Sequence, residues 1–425
     1  MNNFLNKDVE KIYITGNNKL NGKVKISGAK NAALPLMALS ILIDKGLTLC
    51  NVPDLADTRL MASLLIDLGI LVDWNNGKIE FNSYPKKDEA SYDLVRQMRA
   101  SILLLGPLLV SRKSAKVPLP GGCAIGTRPI DLHILVMEAL GANIYFDSGF
   151  IVASVGKEGL RGNVIDFPRV SVGATESAIM TAVLATGQTI ILNAAKEPEI
   201  VDLGKCLIRA GAKIEGLGTD RITINGVKKL NKVDHSVVSD RIEAGSFAVA
   251  ASITMGNVEI NNVNPNDLSY FLEILRLTGS KIQIGRNTIN VSSSKRPVPH
   301  NITTDIHPGF PTDLQAQYMA LMSIADGVTI IKETIFENRF MHVPELIRMG
   351  AKVLISKQEA YVSGVKKLKG AKVMASDLRA SMSLILAALA SSGTSEIDGL
   401  FHLDRGYENL VNKLSNLGAN IKRSK

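Results

Sequence analysis

A single cysteine lies between a pair of glycines and an arginine in the stretch LPGGCAIGTRP, which runs from Leu119 to Pro129. A nearby cation favours the thiolate of a cysteine, and Arg128 follows Cys123 by five residues. The thiol could therefore take part in proton transfer. The alternative is a small apolar residue filling a turn, because cysteine without a disulfide is often buried.

Further polar candidates share one setting, the start of an apolar helix pattern or the turn beside it. Arginines bind phosphate and carboxylate oxygens in bidentate geometry, and helix N-termini favour anions. The set therefore suits a doubly anionic, phosphorylated substrate. Singly, each candidate has a plainer interpretation, such as N-capping for Asp313 or a solvated charge for Arg405. The candidates are Lys30 and Asn31 in SGAKNAALP, Arg99 in QMRAS, Arg169 in RVSVGATES, Asp313 in HPGFPTDLQ, Arg379 in DLRAS and Arg405 in LDRGYE.

Several familiar signatures are missing from the sequence. It contains no GxGxxG fingerprint, no Walker A loop and no HExxH motif, so no nucleotide cofactor and no metal is expected. The three cysteines lack the spacing of a disulfide framework or a zinc site. Cys50 lies in a strand pattern and Cys206 in a helix pattern, so both are predicted to be buried and unreactive thiols.

The elements that must position these residues recur with a period of roughly 70 residues. A short motif marks the period: a helix pattern ends at a glycine and a β-branched strand pattern follows at once. Its glycines are Gly69, Gly141, Gly211, Gly279, Gly350 and Gly418. The chain is therefore predicted to consist of six copies of one α/β unit.

A second helix pattern in each copy is apolar on most faces, which predicts that it is buried inside a domain. The strands alternate between apolar and polar residues, so sheets should surround these helices. Three copies in each of two globular domains is the expected arrangement, and a ligand would suit a cleft between the two. The polar stretch Asn231 to Asp240 is interpreted as the connector.

Composition limits the class of protein. The chain has 425 residues, 46% of them hydrophobic, with a formal net charge of +9. The basic residues are dispersed and form no tract with interleaved aromatics, so small anionic substrates are favoured over nucleic acid. No apolar run is long enough to span a membrane, and no signal-peptide pattern is present. The sequence therefore predicts a cytoplasmic protein with no membrane partner.

In order along the chain, the motifs SGAKNAALP, PLPGGCAIGTRPIDLH, SVGAT, NAAKEPEIVD, FPTDLQAQ, ENRFMHVPEL, DLRAS and DRGYE resemble the UDP-N-acetylglucosamine enolpyruvyl transferase family. The resemblance implies a two-domain inside-out α/β barrel built from six βαβαββ units. It also implies that phosphoenolpyruvate and UDP-N-acetylglucosamine bind in the interdomain cleft. The sugar 3-hydroxyl would replace phosphate on the enolpyruvyl group by addition and elimination, as the first committed step of peptidoglycan synthesis.

The same resemblance implies roles for individual residues. Cys123 would be the general acid toward the methylene carbon, and fosfomycin would alkylate it. Asp313 would accept the proton of the sugar hydroxyl. Lys30 is also expected to be catalytic. The residues expected to contact phosphoenolpyruvate are Lys30, Asn31, Arg128, Arg379 and Arg405. The residues expected to hold the UDP-sugar are Arg99, Arg128, Pro129, Ile130, Asp131, Leu132, Arg169, Val170, Ser171, Val172, Asp313 and Ile335.

In one departure from the family pattern, Arg169 stands where lysine is common, which keeps the charge. The resemblance further implies one domain of residues 1–28 plus 239–425 and an inserted domain of residues 29–238 that carries the Cys123 loop. Two other functions stay open. Enolpyruvylshikimate-phosphate synthase shares the fold and the phosphoenolpyruvate chemistry but lacks the PGGC lid, and a non-catalytic repeat protein could bind RNA in a basic cleft. The oligomeric state is not indicated.

Overall fold

The computed structural model describes residues 10–43, 46–121 and 129–424. These residues divide into two compact units, and the chain passes from one to the other after Ser27 and again after Val238. We call residues 28–43, 46–121 and 129–238 the central unit, and residues 10–27 and 239–424 the terminal unit.

Helices and short strands alternate along the central unit. Its α-helices are Lys30–Leu39, Ala56–Asp67, Tyr92–Val95, Leu105–Arg112, Asp131–Ala139, Val172–Ala182 and Pro198–Arg209, and Arg99–Leu104 is a 3-10 helix. Its strands are Leu47–Cys50, Val72–Asn75, Lys78–Phe81, Ser114–Pro118, Asn143–Asp147, Phe150–Ser154, Val164–Asp166, Gln188–Leu192, Lys213–Glu215, Arg221–Asn225 and Val233–Ser236.

Helices and short strands also alternate along the terminal unit. Its α-helices are Arg241–Ile253, Ser269–Leu277, Gln315–Met322, Val343–Arg348, Leu378–Ala390, Leu400–Asp404 and Leu410–Asn416, with 3-10 helices at Pro265–Leu268 and Thr312–Leu314. Its strands are Lys11–Thr15, Asn21–Lys25, Asn257–Asn261, Lys281–Ile284, Thr288–Ser292, Ile302–Thr303, Val328–Lys332, Lys352–Ser356, Glu359–Ser363, Leu368–Lys369, Lys372–Met374, Ser391–Ser392, Thr394–Asp398 and Asn420–Ser424.

Three helices in each unit form its core, as the apolar repeat predicts. Every residue of Gln315–Met322 is buried, and so is every residue of Arg241–Ile253 after the first. Each fully buried leucine or isoleucine contributes about 1.5–3 kcal/mol relative to an exposed one, so burial on all faces favours the interior. The prediction of core helices surrounded by sheets is confirmed. The six core helices are Lys30–Leu39, Leu105–Arg112, Val172–Ala182, Arg241–Ile253, Gln315–Met322 and Leu378–Ala390.

The six glycines of the repeat motif share one backbone conformation. Their φ angles lie between +91° and +102°, in the region that side chains with a Cβ rarely adopt. In each copy a helix ends just before the glycine and a strand begins just after it. The six-copy organisation read from the sequence is therefore confirmed in the described residues.

Strand exchange between copies links the sheets within each unit. In the central unit, Val164–Asp166 pairs in parallel with Gln188–Leu192 of the next copy. An isolated β-bridge between Glu89 and Lys116 is also parallel. Val233–Ser236 pairs in parallel with Leu47–Cys50, so the last copy is joined back to the first. The described strands form separate sheets of two to four strands and not one continuous closed barrel.

The stretch from Asn231 to Asp240 is therefore more than a polar connector, and that interpretation was wrong for its middle part. Val233 and His235 face inward while Asp234 and Ser236 face solvent, as in an ordinary strand. The sequence hid this strand because one inward residue is histidine. Its ring is satisfied inside the unit, where Nε2 lies 2.8 Å from Asp202 Oδ1.

Strands from the start of the chain complete the terminal unit. Lys11–Thr15 lies between Thr394–Asp398 and Asn420–Ser424, antiparallel to both. Asn21–Lys25 then pairs in parallel with Asn257–Asn261. Two strands from the beginning of the sequence thus supply hydrogen bonds to sheets whose other strands follow more than 230 residues later.

Candidate functional site

Asp313 lies between two buried arginines in the terminal unit. Arg339 Nη2 donates to Asp313 Oδ1 and Arg379 Nη2 donates to Asp313 Oδ2, each at 2.7 Å. Asp313 belongs to the 3-10 helix Thr312–Leu314, and its side chain forms no cap at that helix. The N-cap interpretation of Asp313 was therefore wrong, because Pro311 is the N-cap of that helix and two guanidinium groups bind the Asp313 carboxylate.

Arg379 is held at the start of the core helix Leu378–Ala390. The N-cap residue Asp377 accepts hydrogen bonds from the backbone N–H of Arg379 and of Ala380, at 2.8 and 3.0 Å. Burial disfavours the charged guanidinium of Arg379, but Asp313, Tyr407 and Asp240 outweigh burial, so the pKa of Arg379 is raised. Arg379 therefore remains a cation although it is only 5% exposed.

Arg339 is the second buried cation, and its guanidinium reaches two groups of the same segment. Besides Asp313 it donates to the backbone carbonyl of Thr312 at 3.3 Å, and it stacks over the ring of Phe336 at 5.5 Å. Arg339 was not selected from the sequence, although it lies in the motif ENRFMHVPEL. The motif gives only a weak signal, because Arg339 stands between a polar asparagine and an apolar phenylalanine, and its burial depends on the distant carboxylate of Asp313.

A polar network lies on the core side of Asp313. Gln317 Nε2 donates to the carbonyl of Asp313 at 3.0 Å, to Tyr407 OH at 3.1 Å and to Ser246 Oγ at 3.2 Å. Burial raises the pKa of Tyr407, against the opposing charge of Arg379. This neutral network joins two core helices to the turn after Arg405, which follows the helix Leu400–Asp404 and is half-buried.

Ile335 is placed next to the same segment by a buried carboxylate. Glu333 Oε1 accepts the backbone N–H of Ile335 at 2.9 Å, and the hydroxyl of Thr312 donates to both oxygens of Glu333 at 3.0 to 3.1 Å. The structure thus brings Ile335, Asp313 and Arg379 into one cluster. Glu333 was not selected from the sequence, where it resembles any other charge at the end of a strand.

In the central unit, Lys30 is the first residue of a core helix. Its side chain is only 12% exposed, and its ammonium group donates to Asp57 Oδ2 at 3.1 Å. Asn31 follows it and is exposed. A lysine at a helix N-terminus places a positive charge where backbone N–H groups also point, so the local potential is suited to an anion. Asp57, itself buried, was not selected from the sequence.

The other candidates of the central unit also lie at helix starts. Arg99 begins the 3-10 helix Arg99–Leu104, which contacts the core helices Lys30–Leu39 and Val172–Ala182. Ser171 is the N-cap of Val172–Ala182, and its hydroxyl accepts the N–H of Ala174 at 3.3 Å.

Arg169 and Asp131 are brought together by the fold. Arg169 Nη2 lies 2.6 Å from both carboxylate oxygens of Asp131, and both side chains are about half exposed. An exposed pair of this kind contributes at most about 1 kcal/mol, so a ligand can replace it at low cost. Of the neighbouring candidates, Pro129 is exposed, Ile130 and Val170 are half-buried, and Leu132 is buried.

Cys123 and Arg128 lie outside the described residues. Of the other cysteines, Cys206 is buried, as predicted, and burial raises its pKa to about 12. Cys50 is exposed, so the prediction of a buried thiol was wrong. It ends the strand Leu47–Cys50, in which Leu47 and Leu49 face the core, so the alternation of the strand turns Cys50 outward.

Two further features of the described residues concern metals and membranes. Among the residues the structure describes, no cluster of three or more His, Cys, Asp or Glu side chains could hold a metal ion. Across the same residues, no helix combines the length and the apolar character needed to cross a membrane.

Sequence and fold together define an enolpyruvyl transferase. The chain belongs to the EPSP synthase family, whose model, described as EPSP synthase (3-phosphoshikimate 1-carboxyvinyltransferase), matches residues 14–414. Within that family it is similar to proteins named UDP-N-acetylglucosamine 1-carboxyvinyltransferase. The relative from Zymomonas mobilis is 49% identical and covers 98% of this chain and 99% of its own length. Relatives from Acinetobacter baylyi and Geobacter metallireducens are each 50% identical, covering 98% of this chain and 100% of their own.

Solved structures agree on the fold. The enolpyruvyl transferase NikO from Streptomyces tendae superposes with a TM-score of 0.88 at 23% identity, over 98% of this chain and 99% of that one. EPSP synthase from Acinetobacter baumannii gives a TM-score of 0.76 at 17% identity, over 98% and 100%. At these identities the likeness establishes the fold alone, and it confirms the α/β architecture predicted from the sequence.

Proposed function

We propose that this chain transfers the enolpyruvyl group of phosphoenolpyruvate to the 3-hydroxyl of UDP-N-acetylglucosamine and releases phosphate. The observation that carries the proposal is the 49–51% identity, over 98% of the chain, to relatives named for this carboxyvinyl transfer. The transfer needs no redox cofactor, because it exchanges groups with no net change of oxidation state.

The cations of the candidate site suit the anionic substrate. Phosphoenolpyruvate carries a phosphate and a carboxylate, which planar guanidinium groups bind in bidentate geometry. Lys30, Arg128, Arg379 and Arg405 would hold these groups together with Asn31. Support comes from Lys30 and Arg379, each at the start of a core helix and each held by a carboxylate in the described structure.

The UDP-sugar would use a different set of groups. A diphosphate suits the guanidinium groups of Arg99, Arg128 and Arg169, together with the amides near Ser171. The sugar would lie against Asp313 and Ile335, which the hydrogen bonds of the terminal unit fix close together. The residues proposed for the remaining contacts are Pro129, Ile130, Asp131, Leu132, Val170 and Val172.

The chemistry is an addition followed by an elimination. The oxygen of the sugar 3-hydroxyl bonds to C2 of phosphoenolpyruvate while its proton passes to Asp313, and the methylene carbon C3 receives a proton from Cys123. The C2–O bond to phosphate then breaks, and C3 returns a proton to the Cys123 thiolate as the double bond re-forms. The proton held by Asp313 leaves with the phosphate, so both side chains are restored. Arg339 and Arg379 fix the position of the Asp313 carboxylate, so that its lone pairs are oriented before the hydroxyl arrives.

The product of this transfer is a nucleotide-linked enolpyruvyl sugar. We place the reaction at the first committed step of peptidoglycan synthesis and in the cytoplasm. It would thereby support cell-wall formation, cell shape and division. The second candidate is enolpyruvylshikimate-phosphate synthase, which the family model favours by its description.

The deciding experiment measures phosphate release. Phosphate should appear only when phosphoenolpyruvate and UDP-N-acetylglucosamine are both present, and each substrate alone is the control. Release with shikimate 3-phosphate in place of the UDP-sugar would transfer the assignment to the second candidate.

Fosfomycin gives an independent test of the thiol. This anionic epoxide should form one covalent adduct on the peptide that carries Cys123, and more readily when the UDP-sugar is bound. Cys50 is exposed and serves as the internal control for non-specific alkylation. Cys123→Asp should escape the drug and retain some turnover, because it keeps a proton donor, whereas Cys123→Ala should lose both. An adduct on Cys50 of similar yield would contradict a reactive Cys123.

A further inference from the structure

Glu333 is a buried carboxylate to which the structure gives only neutral donors. It follows the strand Val328–Lys332 and is 1% exposed. Its Oε1 accepts the backbone N–H of Ile335 at 2.9 Å and of Phe336 at 3.1 Å. The backbone N–H of Glu333 donates to the carbonyl of Gln358 at 2.8 Å, which ties the residue to the turn that precedes the neighbouring strand.

The same carboxylate reaches a second segment of the chain. The hydroxyl of Thr312, 21 residues earlier, lies 3.1 Å from Oε1 and 3.0 Å from Oε2 of Glu333. Thr312 immediately precedes Asp313, and its carbonyl accepts from Arg339. Glu333 therefore fixes the distance between the Ile335 backbone and the Asp313 segment through three donors, namely two backbone N–H groups and one hydroxyl.

A buried carboxyl group loses hydration and is retained only where its hydrogen bonds compensate for that loss. An apolar residue at this position would leave two peptide N–H groups and a hydroxyl to find other partners. Geometry near a reacting group is sensitive, since a displacement of about 1 Å can cost a hundredfold in rate. The position of Glu333 thus matters most for a ligand that contacts both segments.

We infer that Glu333 is a positioning residue for the sugar acceptor, which sets Ile335 and Asp313 at the separation that the acceptor requires. The inference rests on the proposed function, in which both residues contact the UDP-sugar. Glu333 itself touches no substrate. It acts through the backbone of Ile335 and through Thr312, and it has no part in binding phosphoenolpyruvate.

Three substitutions separate this role from a general contribution to folding. Glu333→Ala should raise KM for UDP-N-acetylglucosamine by about tenfold or more and lower kcat, while KM for phosphoenolpyruvate stays within about twofold. Glu333→Gln keeps the side-chain length and one acceptor oxygen at the position of Oε1, so it should restore KM to near the original value. Glu333→Asp keeps the charge but is one methylene shorter, so it should resemble Ala.

A matched control comes from the outer sheet of the same unit. Glu396 is a partly buried carboxylate that pairs with Lys11 and Lys372. Glu396→Ala should lower thermal stability and leave both KM values unchanged. Thr312→Val removes one of the two connections, so it should raise KM for the sugar less than Glu333→Ala does. Adding Thr312→Val to Glu333→Ala should have little further effect.

The outcomes are distinguishable. If the unmodified chain releases no phosphate with the UDP-sugar, the proposed function fails. If it does, and Glu333→Ala leaves KM for the sugar unchanged or raises both KM values equally, the positioning role is wrong. Glu333→Gln behaving like Ala would also overturn it. If the Ala variant does not fold, the comparison of Glu333→Gln with Glu333→Asp decides the question. Gln keeps the length of the side chain and loses its charge, whereas Asp keeps the charge and is shorter.

Discussion

Replacing Asp313 with alanine should destabilise the terminal unit far more than the loss of a helix cap would. The substitution leaves two guanidinium groups, with side chains 4% and 6% exposed, without their shared carboxylate. Removing one partner of a buried ion pair costs about 3–5 kcal/mol. Asp313 is itself 28% exposed, so water screens part of the interaction, and we expect about 3 kcal/mol. A lost cap would cost about 1 kcal/mol.

Thermal unfolding, followed by circular dichroism, measures this difference. At about 2–4 °C per kcal/mol for a unit of this size, Asp313→Ala should lower Tm by about 6–12 °C. The control is Asp326→Ala in the same unit, because Asp326 is 82% exposed where it pairs with Arg296 at 3.3 Å. An exposed pair contributes about 0–1 kcal/mol, so the control should shift Tm by less than about 4 °C.

A second substitution tests the cause of the loss. Arg339→Met in the Asp313→Ala background removes one of the two uncompensated cations and replaces it with an apolar side chain of similar length. The double variant should therefore be more stable than the sum of the two single changes predicts. Additive losses, or a Tm for Asp313→Ala equal to that of the control, would refute the ion-pair account.

Turnover provides the catalytic half of the same prediction. Asp313→Asn keeps the shape of the side chain but loses its basicity, so phosphate release per folded molecule should fall by about a hundredfold or more. Normal turnover after correction for the folded fraction would leave Asp313 with a structural role only.

Three further predictions follow from single features of the fold. Gly141→Ala should destabilise the chain by about 1–2 kcal/mol in chemical denaturation, because φ is +94° at Gly141 although no atom crowds the added Cβ. The control is Gly156→Ala, which lies in equally open space without a positive φ and should not destabilise the chain. Iodoacetamide should alkylate Cys50 in the folded chain at neutral pH but not Cys206. Mass spectrometry that finds both cysteines modified would contradict the burial of Cys206. Burial raises the pKa of Glu243 to about 7, against the opposing effect of the Lys413 ammonium group. The folded state therefore binds more protons between pH 4.5 and 7, and stability should fall as pH rises through that window. The Tm of Glu243→Gln should fall less steeply with rising pH than the Tm of the unsubstituted chain. Equal slopes in the two proteins would exclude Glu243 as the cause.

The sequence alone was sufficient for features that depend on neighbouring residues. The helix–glycine–strand motif at Gly69, Gly141 and their counterparts identified six copies, because a positive φ after a helix is a local requirement. Helices apolar on most faces identified the core, since burial on every side leaves no position for charge. The ordered motifs identified the family, and they indicated Lys30 and Asp313 as residues of interest.

Tertiary structure alone decided which groups those residues meet. Asp313 pairs with Arg339 and Arg379, which follow it by 26 and 66 residues, and no local periodicity encodes such a contact. The strand Val233–Ser236 completes a sheet begun by Leu47–Cys50 at the other end of the central unit. Local conformation is fixed by sterics within a few residues, whereas ion pairs and sheet closure depend on where the whole chain folds back, which the sequence specifies only through the complete fold.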